Sequence, residues 1–328
     1  MTDGDDTGTT YVLGWDGLDH TLCEEFGLAD DFVPYHNRTG TFANPVLGKP
    51  GTYELWPSII TGRKPDYHGV RLIDEDEGGA GAANPVVDIA AGAMHRYLPT
   101  RMRLRIGIAL RNRGLSLDQM SADWYRRKGI STVFDGRDSR VIGLPNYRTE
   151  ADEGLDLLAG WGRKMSRYLD IHADEKAERV VYRPKKSLDA VNDWLVSEVG
   201  KKAGIVRSRT DKDHDLVFVW FAYIDTVGHA APAVPDPDWQ REAYEHAAEV
   251  TRQIREATDD DDTVIVASDH GNREGRHTFD AFFGATDERA LEGVESVLDY
   301  RKGIDRVTGE RDEPATETPY KVEIKPAG

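Results

Sequence analysis

Carboxylates and imidazoles stand at the ends of three apolar segments of the chain, and their types suit metal binding. Asp225 and His229 lie four residues apart directly after the apolar run 216–224, in the sequence DTVGH. Similar side chains follow the apolar runs at 11–15 and 263–267. The full set of candidate ligands is Asp16, Asp225, His229, Asp269, His270 and His277. Zn²⁺ and Mn²⁺ accept this mixture of oxygen and nitrogen donors, whereas Ca²⁺ does not favour it.

One metal ion would not use all six side chains. Two dications about 4 Å apart, each with about three protein ligands, would use them and leave coordination positions open for a substrate. A single aspartate after a strand is usually a helix cap or turn residue, and a single histidine is usually a packed or surface residue. Because two such motifs, D-x-x-x-H and S-D-H-G, end apolar runs in one chain, a chemical centre is favoured over purely structural roles.

The segments around these residues alternate between the patterns of strands and helices. Short apolar runs predict strands at 11–16, 140–144, 215–224 and 263–268, and helical patterns occupy 56–61, 153–171, 187–202 and 238–258. Strands rich in valine and isoleucine that alternate with helices are typical of a mostly parallel sheet covered on both faces. The predicted fold class is therefore α/β, a three-layer αβα sandwich. Ligands of such sheets bind beyond the carboxyl ends of the strands, where the candidate ligands follow.

A further segment places a hydroxyl group ahead of a predicted helix. Thr52 stands ten residues before Gly62 in the sequence TYELWPSIITGRKPDYHG, and by itself it would be interpreted as a helix cap. The run T-G-x-x-P-x-x-H-G with this preceding hydroxyl resembles the nucleophile segment of the alkaline phosphatase superfamily, particularly its type I phosphodiesterase and nucleotide pyrophosphatase branch. Sulfatases share the segment but place a modified cysteine or serine at the position of Thr52.

The resemblance extends along the chain in order and implies an alkaline-phosphatase-like fold with Thr52 as the nucleophile. It implies that one metal ion is held by Asp16, Thr52, Asp269 and His270, and that the other is held by Asp225, His229 and His277. The chain departs from the branch after Gly69, where no phosphate-binding asparagine follows. Arg71 is the nearest candidate to contact the substrate phosphate in its place.

The activity implied by the resemblance is metal-dependent hydrolysis of phosphate esters, foremost of phosphodiester or nucleotide pyrophosphate bonds. It would proceed through a covalent phosphothreonine at Thr52 with two divalent ions, Zn²⁺ first and Mn²⁺ as the alternative. A phosphomonoesterase and a phosphoglycerate-mutase-like phosphotransferase remain as alternatives within enzymes. A metal-stabilised binding protein without turnover is the alternative of another class, and the presence of Thr52 favours an active enzyme over it. A sulfatase is disfavoured because threonine cannot be converted to the aldehyde.

Composition limits the partners. The chain has 328 residues with 59 acidic and 42 basic side chains, a formal net charge of −17. This balance excludes a nucleic-acid coat and suits a salt-adapted, halophilic source. The single cysteine, Cys23, forbids an internal disulfide, and no apolar run approaches the ~18 residues that a membrane helix needs. The acidic N-terminal segment does not resemble a signal peptide. We therefore expect a cytoplasmic protein without a membrane span, whose partner is a small phosphorylated substrate.

The domain organisation predicted from the sequence is one catalytic domain at 1–310 followed by a polar tail at 311–328. Within the domain, residues 75–130 resemble an insert that begins with a glycine-rich stretch and continues with a basic amphipathic segment between Arg96 and Arg113. Two interpretations of that segment remain open. Its arginines pair with nearby carboxylates on a surface helix, or they bind an anionic substrate or partner.

Overall fold

The computed structural model describes residues 8–45, 47–70, 120–150, 159–174, 179–208 and 214–308. Arg71, the segment between Arg96 and Arg113 and the tail at 311–328 lie outside the described residues. The predicted insert and tail therefore stay predictions, as does the role of Arg71.

A six-stranded sheet forms the centre of the fold. Its strands are β1 (Thr10–Trp15), β2 (Tyr35–Gly40), β3 (Ser139–Ile142), β6 (Leu216–Phe221), β7 (Thr263–Ala267) and β10 (Asp280–Ala285). They lie in the order β2-β10-β7-β1-β6-β3. Strands β7, β1, β6 and β3 run parallel to one another, whereas β10 runs antiparallel to β7 and to β2. The mostly parallel α/β sheet predicted from the sequence is confirmed, and the antiparallel edge formed by β2 and β10 was not predicted.

Helices cover both faces of this sheet. They are α1 (His20–Phe26), α2 (Ala29–Phe32), α3 (Thr52–Thr61), α4 (Pro65–His68), α5 (Ala122–Lys128), α6 (Ala159–Tyr168), α7 (Leu188–Arg207), α8 (Tyr223–Ala230), α9 (Trp239–Arg255) and α10 (Tyr300–Val307). Two small hairpins lie outside the central sheet: β4 (Leu169–Asp174) with β5 (Arg179–Pro184), and β8 (Gly271–Arg273) with β9 (Arg276–Thr278). None of the described helices combines the length and apolar character that crossing a membrane requires.

Two apolar cores lie on opposite faces of the sheet because successive strand side chains point to opposite sides. In β1, Tyr11 and Leu13 pack into one core, and Val12 packs into the other. The first core is closed mainly by α7 and α9, and the second by α3, α5 and α10. This arrangement confirms the three-layer sandwich.

Several predicted elements were wrong at their ends. The helix predicted at 56–61 begins at Thr52, the one at 187–202 continues to Arg207, and the one at 238–258 ends at Arg255. The helix predicted at 153–171 stops at Tyr168, and the chain continues as β4, where Leu169 and Ile171 alternate with more exposed residues and pair with β5. The strand predicted at 215–224 ends at Phe221, and α8 begins at Tyr223. Apolar residues run across the junction between β6 and α8, so hydrophobicity alone did not reveal where the strand ends there.

Helix α3 contains a proline, and the fold compensates for it. Pro57 has no N–H to donate to the carbonyl of Tyr53, four residues earlier. The side-chain amide of Asn146 donates to that carbonyl instead, over 2.6 Å. Asn146 is buried and has a positive φ of 55°, and its own Oδ1 accepts from the backbone of Met120 at 3.3 Å. Asn146 thus ties the first turn of α3 to the loop that follows β3.

We expect Asn146→Gly to lower the free energy of unfolding by about 1–3 kcal/mol, because the partly buried carbonyl of Tyr53 loses its donor while the positive φ remains accessible. Urea unfolding would measure the change. Glu274→Gly is the matched control, since Glu274 is an exposed residue that also has a positive φ, of 51°. An equal loss in both variants would contradict a special role for the Asn146 amide.

Candidate functional site

The three candidate aspartates meet because they follow three neighbouring strands. Asp16 comes directly after β1, Asp225 lies in the first turn of α8 after β6, and Asp269 lies two residues after β7. Strand β1 is between β7 and β6 in the sheet, so the carboxyl ends of the three strands lie side by side. The backbone N–H of Asp225 donates to the carbonyl of Asp16 at 3.0 Å, which joins two of the strand ends directly.

The first group of candidate ligands comprises Asp16, Asp269 and His270, all buried. Nε2 of His270 lies 3.5 Å from Oδ1 of Asp16 and 3.4 Å from Oδ2 of Asp269. The hydroxyl of Thr52 joins this group, with Oγ1 3.2 Å from Oδ1 of Asp16 and 3.1 Å from Nε2 of His270. Thr52 is the first residue of α3, so the helix dipole favours negative charge at this position.

The second group comprises Asp225, His229 and His277. Asp225 and His229 are one helical turn apart on α8, and the β8–β9 hairpin brings His277 to them. Oδ1 of Asp225 lies 3.4 Å from Nε2 of His229 and 3.6 Å from Nε2 of His277. The rings of His270 and His277 stack with centroids 3.9 Å apart, so the two groups are adjacent.

All three imidazoles have the same hydrogen-bonding pattern. Nδ1 of His229 bonds to the carbonyl of Val180 at 2.8 Å, and Nδ1 of His277 bonds to that of Pro50 at 2.8 Å. Nδ1 of His270 bonds to the carbonyl of Gly271 at 3.0 Å. A carbonyl only accepts, so each Nδ1 carries the proton and each neutral ring leaves a bare lone pair on Nε2.

These lone pairs face one another and the carboxylates. Nε2 of His229 and Nε2 of His277 are 2.9 Å apart, although neither nitrogen has a proton to share while the rings are neutral. Oδ2 of Asp269 is buried and has no hydrogen-bond partner among the described residues. Converging lone pairs with second nitrogens anchored to carbonyls are the arrangement of histidines that ligate metals, so the residues present fit two dications.

Burial and mutual repulsion oppose the charges in this site. Burial, reinforced by the carboxylates of Asp269 and Asp225, raises the pKa of Asp16 well above its usual value. Burial also raises the pKa of Asp269, and it lowers the pKa of His277 and of His229. Asp225 behaves differently: burial favours its neutral form, but the charged forms of the surrounding histidines and the hydrogen bond from Asn272 outweigh it and lower the pKa of Asp225 to about 2. Positive charge introduced between the two groups would relieve the repulsion among the aspartates.

Close backbone approach explains two glycines of the site. Gly17 has a φ of 74°, and a Cβ there would lie 2.8 Å from Cα of Asp225. A Cβ on Gly228, the glycine of the DTVGH motif, would lie 2.7 Å from the side chain of Asn272. Asn272 is buried and donates to Oδ1 of Asp225 at 2.7 Å, which orients that carboxylate. Sequence reasoning missed Asn272, although it directly follows the S-D-H-G motif.

Lys49 is a second residue that sequence reasoning missed. Its side chain is partly buried, and burial lowers its pKa while the carboxylate of Asp225 opposes that shift. Its charge in turn helps to lower the pKa of His229, after the larger effect of burial. Lys49 lies three residues ahead of Thr52 but belongs to none of the motifs, so the sequence pattern did not indicate it and only the folded structure does.

The structure brings the six candidate ligands and Thr52 together, and Arg71 lies outside the described residues. Among solved structures, similar chains include a protein from Pyrococcus horikoshii, with 13% identity and a TM-score of 0.42, covering 94% of this chain and 99% of that one. Alkaline phosphatase from the Antarctic bacterium TAB5 has 11% identity and a TM-score of 0.38, with 92% and 98% covered. Phosphonoacetate hydrolase from Sinorhizobium meliloti has 15% identity and a TM-score of 0.35, with 81% and 56% covered.

No curated protein matches the chain. A family model does match it, over residues 122–298, and its description is type I phosphodiesterase / nucleotide pyrophosphatase. The matched region contains the DTVGH and S-D-H-G motifs with His277, and it spans more than half of the 328 residues. The chain therefore belongs to the type I phosphodiesterase / nucleotide pyrophosphatase family.

Proposed function

We propose that this protein hydrolyses phosphodiester or nucleotide pyrophosphate bonds, with Thr52 as the nucleophile and two divalent ions held by the six ligands. Membership of the family makes it a phosphoester hydrolase of the alkaline phosphatase superfamily. The finer proposal is supported above all by one observation. Three proton-free Nε2 atoms and three carboxylates converge beside a hydroxyl at the start of a helix.

The donor set suits Zn²⁺ best, with Mn²⁺ as the alternative, since each group combines imidazole nitrogen with carboxylate oxygen. Asp16, Asp269, His270 and Thr52 would hold one ion, and Asp225, His229 and His277 would hold the other. When bound, the ions would lower the pKa of the hydroxyl and stabilise the negative charge of the transition state.

The side chains of the site define the course of the reaction. Thr52 is oriented by Asp16 and His270, both within hydrogen-bonding distance of its Oγ1. The carboxylate of Asp16 can take its proton, since the lone pair on Nε2 of His270 would ligate the ion. Oγ1 attacks phosphorus, a bond forms between Thr52 and the phosphoryl group, and the bond to the leaving oxygen breaks on the opposite side. Water then cleaves the phosphothreonine, and two in-line steps give net retention at phosphorus.

The geometry also bears on the alternatives. Thr52 contacts only the first group, so the second group is free to face the leaving oxygen. A nucleophile on one side of the site and a place for the leaving oxygen on the other are what phosphoryl transfer requires. The arrangement therefore supports an enzyme rather than a binding protein without turnover. Phosphomonoester hydrolysis and mutase-like phosphotransfer use the same attack, so the substrate and not the nucleophile separates them from the proposal.

We expect Thr52→Ala to abolish turnover while the fold and metal content are nearly retained, because it removes the attacking oxygen and only one of several ligands. Steady-state rates on an aryl phosphodiester, with metal content from elemental analysis, would measure this. Thr52→Ser is the matched control and should keep measurable activity. If the rate of Thr52→Ala fell by less than about tenfold, Thr52 would not be the nucleophile.

Elemental analysis should find close to two dications per chain, and Asp225→Asn or His270→Ala should each remove at least one, because each disrupts a different group. His172→Ala serves as the control, since His172 is an exposed imidazole on β4. A single dication that survives both substitutions would refute the two-site assignment.

We expect higher kcat/KM for an aryl diester than for the matched aryl monoester. A diester carries one negative charge and a monoester about two near neutral pH, and the proposed phosphoryl site has two metal ions with Arg71 as its added cation. The preference for the diester should fall in Arg71→Ala, because the guanidinium of Arg71 is the candidate contact of the non-bridging phosphate oxygen. A monoester preferred by tenfold, about 1.4 kcal/mol, would favour the phosphatase alternative.

A further inference from the structure

Lys49 lies in a turn that is held by its own backbone hydrogen bonds and by a hydrogen bond to helix α3. The backbone N–H of Asn44 donates to the carbonyl of Lys49 at 2.9 Å, and the N–H of Gly48 donates to the carbonyl of Asn44 at 2.9 Å. The buried side chain of Asn44 donates to Glu54 in the first turn of α3 at 3.0 Å. This turn therefore holds Lys49 against the helix that carries Thr52.

The next residue ties the turn to the second ligand group. The carbonyl of Pro50 accepts from Nδ1 of His277 at 2.8 Å, so Lys49 directly precedes the residue that orients one of the three second-group ligands. Burial lowers the pKa of Lys49 and the carboxylate of Asp225 opposes that shift, while the charge of Lys49 helps to lower the pKa of His229, so the side chain lies near the second group. His277, Asp225 and His229 all belong to the second group.

The ammonium of Lys49 makes no hydrogen bond or ion pair with any residue in the part of the chain that the structure describes. Most lysines keep their charged end in water, and a partly buried ammonium loses hydration that a partner must replace. An anionic substrate group beside Asp225 would be such a partner. The nucleophile lies on the first group, so this position is on the side of the departing oxygen.

We propose that Lys49 is a further catalytic residue, whose ammonium donates a hydrogen bond to the leaving oxygen. The inference rests on the proposed function. As the bond from phosphorus to the leaving oxygen breaks, its electron pair passes to that oxygen, and Lys49 stabilises the negative charge while it keeps its own proton. The stabilisation is largest for leaving groups that carry the most charge in the transition state, which are the weakest acids.

The test compares kcat/KM of the metal-loaded wild type and Lys49→Ala on aryl phosphodiesters whose phenols range from dinitrophenol to phenol. We expect the variant to lose at least about tenfold more on the phenyl ester than on the dinitrophenyl ester. Lys49→Arg should retain most of the wild-type dependence on the leaving group. Lys64→Ala, which removes an exposed lysine just after α3, should change neither rate.

Metal content and thermal unfolding of Lys49→Ala supply readouts that do not depend on activity, and both should match the wild type. A loss that is equal across the ester series, no loss, or a loss of metal would each overturn the role of Lys49. If the metal-loaded wild type hydrolyses none of the esters, the proposed function fails and the inference fails with it. Hydrolysis by the wild type with an equal loss in the variant would overturn the inference alone.

Discussion

Three aspartates held close together in a poorly hydrated site are the constraint on which the rest of the structure depends. Asp16, Asp225 and Asp269 repel one another, and burial raises the pKa of Asp16 and Asp269. Such a cluster persists only if the surrounding structure determines its geometry and if positive charge compensates it. Parallel pairing of β1 with β6 and β7 supplies the geometry through rows of backbone hydrogen bonds. The compensation falls to the dications that the ligand set would bind.

Backbone carbonyls orient the imidazoles, so the site draws on segments far apart in the chain. Val180 of β5 accepts from His229, and Pro50 accepts from His277. The β4–β5 hairpin therefore has a part in the site although none of its side chains is a candidate ligand. Tyr182 packs its ring on that of His229, with centroids 4.6 Å apart, and further limits its orientation. Segments far from the motifs in the sequence thus set the tautomers on which the proposed metal binding depends.

A charged network of a different kind fixes the hairpin that carries His277. Asp19 is fully buried and accepts from Nε and Nη2 of Arg273 at 2.9 and 2.8 Å, and from the hydroxyl of Thr278 at 2.6 Å. It also caps α1 by accepting from the backbone of Leu22. Because this carboxylate has its own cation and donors, it does not add to the repulsion among the site aspartates. The carboxylate of Asp19 is thus neutralised by Arg273, whereas the site aspartates are available to bind cations.

The sequence by itself determined the parts of this protein that depend on local pattern and residue type. Buried strands β1, β6 and β7 were predictable from short apolar runs, and the six candidate ligands from the polar residues that follow such runs. The family followed from the order of the motifs, with Thr52 matched by resemblance. These features are local because a strand end and the residue after it are neighbours in the chain.

Only the tertiary structure decided how these pieces combine. The antiparallel edge formed by β2 and β10 pairs residues 280 and 40, which no local pattern connects. Asn146 and Asn272 gained their places through hydrogen bonds to residues far away in the chain, and the turn of Lys49 is joined to His277 through Pro50. None of the three residues belongs to the motifs that marked the site. Their environment is created by packing, and burial and electrostatic neighbours are properties of the folded chain. A sequence pattern identifies residues that are able to do chemistry, but the charge and orientation with which they do it arise only when the strands pair.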